Sequence, residues 1–332
     1  MNNHTTRVLI TIDTEFSIGG YFANQSLKPV PADRHIYCKI SGKDYGINLI
    51  MDILEKYGLK GVFFLETEAR HYFGEEEIIS IAKHIQDRGN EIQLHTHPNY
   101  RSFTEGRRVS DDMRRFPCEG QAKIIRESLE FLCSYGFRDI LAYRSGGFYS
   151  NLDTIKALEN SGVRYSANYN LANPNCSYIE KYPLRNDIFR IGDVFEVPVT
   201  CFKELQIRKE WNSFQLSALS FDEFKCALEF YRRIGTNVVC LLTHSFEFVR
   251  AYDIQFSKMI PNKVFINRFD NICRYLADND GEYKVINYEE LDQLVNNNGI
   301  VVKEKLDDFY KSPFLKTSRR YFENGVLSKI TK

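Results

Sequence analysis

The sequence lacks an excess of charge of either sign, because its 332 residues carry 44 Lys plus Arg against 44 Asp plus Glu. A protein dedicated to binding nucleic acid needs a basic field around the phosphate backbone, so this balance argues against a nucleic-acid partner. The sequence also lacks an apolar run that approaches the length of a membrane span, and residues 1–6 lack the features of a signal peptide. We therefore predict that no segment crosses a membrane.

The eight cysteines include no C-x-x-C pair. Several of them, such as Cys133, Cys226 and Cys240, lie inside apolar helix or strand patterns and are expected to be buried. Scattered buried thiols are typical of a reducing compartment and not of a disulfide framework. Together with the lack of a signal peptide, this usage predicts a cytoplasmic location.

Strand-like and helix-like segments alternate through most of the chain, which is 43% hydrophobic. Residues 7–12, 61–65 and 91–95 have the composition of buried strands, and residues 47–57 and 77–88 show the periodicity of helices. Repeated βα units predict a parallel sheet, and this many units predict closure into an α/β barrel. We expect one barrel domain over residues 1–300.

Three stretches interrupt this alternation, namely residues 16–43, 168–193 and 200–220. Residues 16–43 and 168–193 are long insertions that would form loops at the rim of the barrel, where substrate recognition is usual. Residues 301–332 carry eight Lys or Arg against four Asp or Glu, which indicates a basic C-terminal extension and not a separate domain.

Two short polar clusters follow apolar strands. Asp13 and Glu15 come at the end of one strand, and His95 and His97 at the end of another. Because strand side chains alternate between faces, the members of each pair point the same way, about 7 Å apart. Two imidazoles and two carboxylates around one point would suit zinc or a similar divalent ion, such as cobalt, nickel or manganese, with one carboxylate left to act as a base.

Arg144 and His244 also fall at or just after the ends of predicted strands. In an α/β barrel the active site lies at the carboxyl ends of the strands. Polar residues that only filled the core would not all gather at one end, so the pattern predicts a metal-dependent hydrolase.

The order of these motifs resembles that of the polysaccharide deacetylases, the carbohydrate esterase family of the NodB-homology type. The resemblance extends over about residues 7–296 and rests on five segments: Thr11–Glu15, His95–Pro98, Tyr143–Phe148, Phe195–Val199 and Leu241–His244. It implies a distorted (β/α)7 barrel with long rim loops. It also implies a hydrolase that removes an acetyl group from an N-acetylated sugar or a surface-polysaccharide precursor.

Two motifs depart from the family pattern. The first is normally T-F-D-D and the second H-[ST]-x-x-H, whereas this chain has D-x-E and H-x-H-P. By position Asp13 matches the base of the family, and Glu15 is then the nearest candidate ligand beside His95 and His97. The swapped assignment, with Asp13 on the metal and Glu15 as base, stays open.

The resemblance also assigns roles outside the metal ligands. Arg144 would orient the base carboxylate, although a structural ion pair at a barrel end is an alternative. The backbone N–H of Gly147 or a neighbour would stabilise the oxyanion, and His244 would protonate the departing amine. Glu247 is expected to be an exposed loop carboxylate, and the alternative is that it tunes the imidazole of His244 or contacts substrate. Four histidines without motif context are expected to be surface or packing residues, namely His4, His35, His71 and His84.

Other activities fit the same residues. A related amidase or deformylase, or an O-acetyl esterase acting on a non-polysaccharide substrate, would use the same barrel and metal. A non-catalytic glycan-binding homologue would explain the altered first motif. The sequence leaves the carbohydrate or small amide substrate, the metal identity and the oligomeric state open.

Overall fold

The computed structural model describes residues 5–204, 210–300, 302 and 307–327. Seven parallel strands form its centre: β1 (Thr6–Thr14), β2 (Val62–Glu66), β3 (Glu91–Thr96), β4 (Ala142–Ser145), β5 (Tyr165–Ser166), β6 (Val194–Glu196) and β7 (Val238–His244). Their order in the sheet is β7-β1-β2-β3-β4-β5-β6. Each neighbouring pair is parallel, as expected for successive βα units.

Strand β1 is the most extensively paired of these strands. It pairs with β7 over seven positions and with β2 over its last four, Thr11 to Thr14. A short strand at Tyr283–Val285 pairs with the first residues of β1, Thr6 to Val8, on the same edge of β1 as β2. At the far edge of the sheet, Phe189–Ile191 runs antiparallel to β6.

Irregular segments bridge the gap between β6 and β7. The backbone N–H of Thr200 donates to the carbonyl of Cys240 at 3.2 Å, and that of Leu216 donates to the carbonyl of Leu242 at 2.9 Å. The sheet is therefore a curled half-barrel that loops complete. The predicted distorted (β/α)7 barrel is confirmed.

Helices follow most of the strands. The longer ones are α1 (Ile47–Lys56), α2 (Glu75–Asp87), α3 (Cys118–Ser134), α4 (Leu152–Asn160), α5 (Phe221–Arg233), α6 (Lys263–Asp278), α7 (Tyr288–Asn296) and α8 (Phe314–Phe322). Capping boxes at Asn151, Ser220 and Asn287 fix the starts of α4, α5 and α7 by satisfying backbone N–H groups of the first turn.

Short elements decorate the barrel. Brief helical segments occur at Ala32–His35, Arg70–Phe73, Pro98–Arg101, Ser102–Glu105, Met113–Arg115, Gly146–Phe148, Ser177–Ile179, Ser245–Phe248 and Glu323–Leu327. Antiparallel strand pairs join Lys39–Ile40 to Lys43–Asp44, Cys201–Lys203 to Trp211–Ser213, and Val249–Ala251 to Met259–Pro261.

Alternation along the strands separates two apolar layers. Val8, Ile10 and Ile12 of β1 belong to the larger cluster, which also contains the apolar faces of the helices. Leu9 packs in the interior with residues of the other strands, and Thr11 and Asp13 share its parity. The interior face of β1 therefore carries Asp13 into the mouth of the barrel.

Helix α7 lies at the opposite end of the barrel. Glu91, the first residue of β3, accepts hydrogen bonds from the backbone N–H groups of Tyr288 and Glu289, at 2.9 and 3.0 Å. The side chains of Tyr288 and Leu291 join the interior cluster. This end is packed for stability, which leaves the carboxyl ends of the strands for chemistry.

The structure differs from the sequence-based expectations in several local details. The strand Phe189–Ile191 lies within residues 168–193, which were expected to form a rim loop. None of the eight cysteines, all of which lie in the described ranges, forms a disulfide, but Cys133 is exposed and Cys226 half-buried, because they lie away from the apolar stripes of α3 and α5. Within the described ranges, no helix combines the length and apolar character that crossing a membrane requires.

Part of the C-terminal extension packs against the barrel. Buried Arg320 of α8 lies 2.7 Å from Glu204 Oε2 and 3.3 Å from Glu223 Oε1, and Ser312 Oγ donates to Glu223 at 2.7 Å. Residues 301, 303–306 and 328–332 of the extension lie outside the described residues, as does His4.

Candidate active site

Strand register brings distant residues together at the mouth of the barrel. Asp13 of β1 is paired with His244 of β7, and His95 of β3 is paired with Glu66 on one side and Arg144 on the other. All five side chains have the parity that faces the interior. The residues predicted from strand ends therefore do meet at one end of the fold.

Glu15, His95 and His97 form a compact group, which we call the histidine cluster. Glu15 Oε2 lies 3.1 Å from His95 Nε2 and 2.9 Å from His97 Nε2. The candidate ligand atoms of the three residues all lie within 4.8 Å of one another. Two imidazole nitrogens and one carboxylate oxygen are a ligand set used for catalytic zinc.

The outer nitrogen of each imidazole has a partner that orients the ring. His95 Nδ1 lies 2.8 Å from the carbonyl oxygen of Arg144, and His97 Nδ1 lies 3.0 Å from Asp111 Oδ2. A carbonyl oxygen can only accept a hydrogen bond, so His95 donates from Nδ1 and its Nε2 faces Glu15. Metal-binding histidines are held in this way, so the donor chemistry of the cluster fits a divalent ion.

The charges of the cluster favour an anionic carboxylate facing positive charge. Burial raises the pKa of Glu15, but His97 and His95 lower it by more than burial raises it. The net pKa is therefore well below the usual value. Burial likewise lowers the pKa of His97, but Asp111 and Glu15 raise it well above the usual value. Glu15 is therefore prepared to face a cation.

Asp13 is held beside the cluster by a buried arginine. Arg144 Nη1 donates to Asp13 Oδ1 at 2.5 Å, and its Nη1 and Nη2 each lie 3.2 Å from Thr11 Oγ1. Arg144 Nε donates to the carbonyl of Ala167 at 3.1 Å, and the guanidinium lies 4.1 Å from the centre of the Phe64 ring. These contacts fix the position of the Asp13 carboxylate.

His244 lies between two carboxylates. Its Nε2 is 3.9 Å from Asp13 Oδ2 and its Nδ1 is 3.8 Å from Glu247 Oε1, distances of ion pairs and not of hydrogen bonds. Burial lowers the pKa of His244, but Glu247, Glu15 and Asp13 raise it, to a net value of about 9. The ring is therefore protonated at neutral pH and able to act as an acid.

The expectation that Glu247 is an exposed loop carboxylate is wrong. Its side chain is buried, because the helical turn after β7 folds it back towards the barrel. It accepts hydrogen bonds from Ser217 Oγ at 2.5 Å, Gln215 Nε2 at 2.8 Å and Thr243 Oγ1 at 2.8 Å. Glu247 is thus a fixed part of the site that raises the pKa of His244.

Two glycines follow β4 at the rim. Gly147 is exposed and has a φ of 57°, in the left-handed region that favours glycine. At Gly146 a Cβ atom would overlap the ring of His97, so only glycine fits beside the cluster. Gly147 was predicted from the motif, whereas the steric role of Gly146 has no sequence signal of its own.

Three further residues were missed as parts of the site. Asp111 orients His97, and Glu66 Oε1 accepts hydrogen bonds from the backbone N–H groups of His97 and Glu68, at 3.3 and 2.7 Å. Burial raises the pKa of Glu66 to about 8. His35, expected as a surface or packing residue, is buried with its Nδ1 2.7 Å from the carbonyl oxygen of Glu15. Glu66 ends an apolar strand and had a sequence signal, whereas Asp111 lies in an irregular segment and His35 ends the short helix Ala32–His35, neither with such a signal.

Comparison with known proteins supports the fold. A scan against protein-family models gave no match, and a search of curated proteins found no relative. A Mycobacterium smegmatis structure assigned as a polysaccharide deacetylase aligns with a TM-score of 0.56 and 15% identity, over 92% of this chain and 96% of that one. A 4-alpha-glucanotransferase from Thermococcus litoralis aligns with a TM-score of 0.51 and 11% identity, over 87% of this chain and 40% of that one.

These alignments confirm at the level of the fold the resemblance predicted from the motifs. The chain has the curled (β/α) barrel of the polysaccharide deacetylase type. It spans less than half the length of the glucanotransferase. Because a transferase has a similar barrel, the reaction has to be argued from the site and not from the fold.

We expect Gly146→Ala to disrupt the histidine cluster while the barrel stays folded. The added Cβ would displace the ring of His97, one of three candidate ligands, so zinc affinity should fall by about tenfold or more. Zinc titration by calorimetry measures this change. The matched control is Gly120→Ala in α3, where the nearest atoms would be at an ordinary 3.4 Å. Equal zinc affinity in both variants would contradict the assignment of His97.

Proposed function

We propose that this chain is a metal-dependent hydrolase of the polysaccharide deacetylase family that removes an acetyl group from an N-acetylated sugar. The observation that carries the proposal is the arrangement at the mouth of the barrel. The histidine cluster, an arginine-held Asp13 and a protonated His244 lie side by side there. A barrel of the deacetylase type supports it.

The ligands in this proposal are His95, His97 and Glu15. A divalent ion held there, zinc in this proposal, would supply a Lewis acid for the acyl carbonyl and would lower the pKa of a water molecule. The residues of the chain provide the rest of the chemistry. Arg144 and Asp111 orient the two rings, and Gly146 leaves room for one of them.

Asp13 is the proposed general base. Its carboxylate lies outside the group of three candidate ligands in the described residues and is held by Arg144 at 2.5 Å. Oδ2 faces His244 and is available to take the proton of the attacking water. This geometry favours Glu15 as the ligand over the swapped assignment.

His244 is the proposed general acid. An amine cannot leave as an anion, so cleavage of an amide needs a proton on the leaving nitrogen. With a pKa raised to about 9, His244 carries that proton at neutral pH. The need for this acid favours an N-acetyl over an O-acetyl substrate, because an alkoxide is the easier leaving group.

Gly147 is the proposed backbone donor to the oxyanion. It lies exposed on the turn that directly follows Arg144 and Ser145 of β4, where its N–H can face a substrate in the mouth of the barrel. Backbone donors fixed in this way stabilise the charge that develops on the carbonyl oxygen.

A reducing, cytoplasmic site of action remains the prediction from cysteine usage.

The first test is the metal content of the purified protein by elemental mass spectrometry. We expect about one equivalent of zinc, or of cobalt, nickel or manganese, in the wild type and none in His95→Ala/His97→Ala. The His84→Ala variant, whose imidazole bonds Asn48 outside the site, is the control and should keep the metal. A wild type that stays metal-free after reconstitution would sink the hydrolase proposal.

The two carboxylates are separated by a pair of isosteric variants. Asp13→Asn should retain zinc but lose acetate release from N-acetyl sugars by about 10²-fold or more, because the base is gone. Glu15→Gln should lose both activity and zinc affinity, because it removes a charged ligand. Metal loss in Asp13→Asn together with retention in Glu15→Gln would establish the swapped assignment instead.

The role of Glu247 is visible in the pH profile. Replacing it by Gln removes a negative charge that raises the pKa of His244, so that pKa should fall by about one unit. Because the protonated ring is the active form, the alkaline limb of kcat/KM should move to lower pH. An unchanged limb in Glu247→Gln, measured against wild type from pH 6 to 10 (roughly the span around the raised value), would exclude His244 as the acid.

A further inference from the structure

A cavity of about 450 Å³ opens beside the histidine cluster. Asp111 connects the two, because it lines the cavity and also holds His97 Nδ1 at 3.0 Å. Phe22 of the first rim loop forms one part of the wall. A substrate whose acyl group lies at the cluster would therefore extend into this cavity.

The loop over residues 105–115 carries more arginines than its carboxylates can neutralise, and two of these arginines line the cavity. Its acidic residues are each committed to another partner: Glu105 to Arg107 at 2.7 Å, Asp111 to His97 at 3.0 Å, and Asp112 to Arg114 at 2.8 Å. Arg115 lies 3.9 Å from Asp112, both of whose carboxylate oxygens already accept from Arg114. Arg108 has no ion pair within the described part of the chain. Both Arg108 and Arg115 line the cavity.

Arg108 is placed by an aromatic ring. Its guanidinium lies 5.2 Å from the centre of the Phe22 ring, a cation–π contact, and its N–H groups make no hydrogen bond within the described residues. Asn99 also lines the cavity and adds a polar side chain to its wall.

We propose that this cavity is a subsite in which Arg108 and Arg115 bind an anionic group, a carboxylate or a phosphate, carried by the N-acylated sugar. The proposal rests on the proposed function, since that function places the acyl group at the histidine cluster. Guanidinium groups match both anions through paired N–H donors. Both guanidinium groups are exposed, but they share one cavity wall beside the cluster and Phe22 orients Arg108 there, so the geometry points to an acidic substrate.

The test compares charged and neutral probes on the full-length, zinc-loaded chain with Asp13→Asn to prevent turnover. Calorimetry gives the dissociation constants of N-acetylglucosamine, an N-acetylglucosamine phosphate and N-acetylmuramic acid. At least one of the two acids should bind about tenfold tighter than the neutral sugar, and Arg108→Ala/Arg115→Ala should abolish that difference. Whether the phosphate or the carboxylate gains more identifies the source of the anion.

Arg107→Ala is the matched control, because Arg107 lies in the same loop, pairs with Glu105 and is not part of the cavity wall. It should leave all dissociation constants unchanged. Equal affinity for charged and neutral probes, or an equal loss in Arg107→Ala, would overturn the subsite.

Acetate release from the wild type, measured separately, distinguishes this proposal from the proposed function. Release without any preference for acids would overturn the subsite and leave the deacetylase. Acid binding that depends on Arg108 and Arg115 without acetate release would support the subsite and overturn the deacetylase.

Discussion

The ion pair between the buried guanidinium of Arg144 and the Asp13 carboxylate is the interaction on which the site depends. The guanidinium crosses the interior of the barrel from β4 to β1, where it donates to Asp13 at 2.5 Å, and its Nε donates to the carbonyl of Ala167. A buried charge is tolerated only when it is paired and hydrogen-bonded, so these partners cannot move independently. The carbonyl oxygen of the same residue orients His95. One residue therefore positions both the proposed base and a proposed metal ligand.

The electrostatics of the site form a chain of alternating charges. Glu15 lies between two imidazoles, His97 between Glu15 and Asp111, and His244 between Asp13 and Glu247. Asp111 and Glu15 raise the pKa of His97, and Glu247 raises that of His244, while the two rings lower the pKa values of Glu15 and Glu247. Burial makes these couplings strong, because little water screens them. The site therefore lowers the pKa of the Glu15 carboxylate and raises the pKa values of the His97 and His244 rings.

The long loops give the site its individual character. Barrels of this kind support several reactions, and the strand ends supply only the shared machinery. The loop after β3 contributes Asp111, which orients His97 of the histidine cluster, and two arginines that line the cavity beside it. Phe22, from the insertion after β1, meets Arg108 across that cavity. Two insertions far apart in the chain thus build one proposed recognition surface.

Strand alternation and motif residues were readable from the sequence alone. The periodicity of two along β1 and β3 already placed Asp13, Glu15, His95 and His97 on the interior face, and the order of the βα units predicted the barrel. These features are local or repeat regularly, so the chain encodes them without reference to distant contacts.

The tertiary structure alone decided which carboxylate joins the histidines, and it buried Glu247, which the sequence analysis had placed in solvent. It also recruited Asp111 from a polar loop and required glycine at position 146. Each of these outcomes depends on a contact between segments without a shared periodicity, or on a turn whose path is set by its neighbours. Such contacts form only when the barrel brings those segments together.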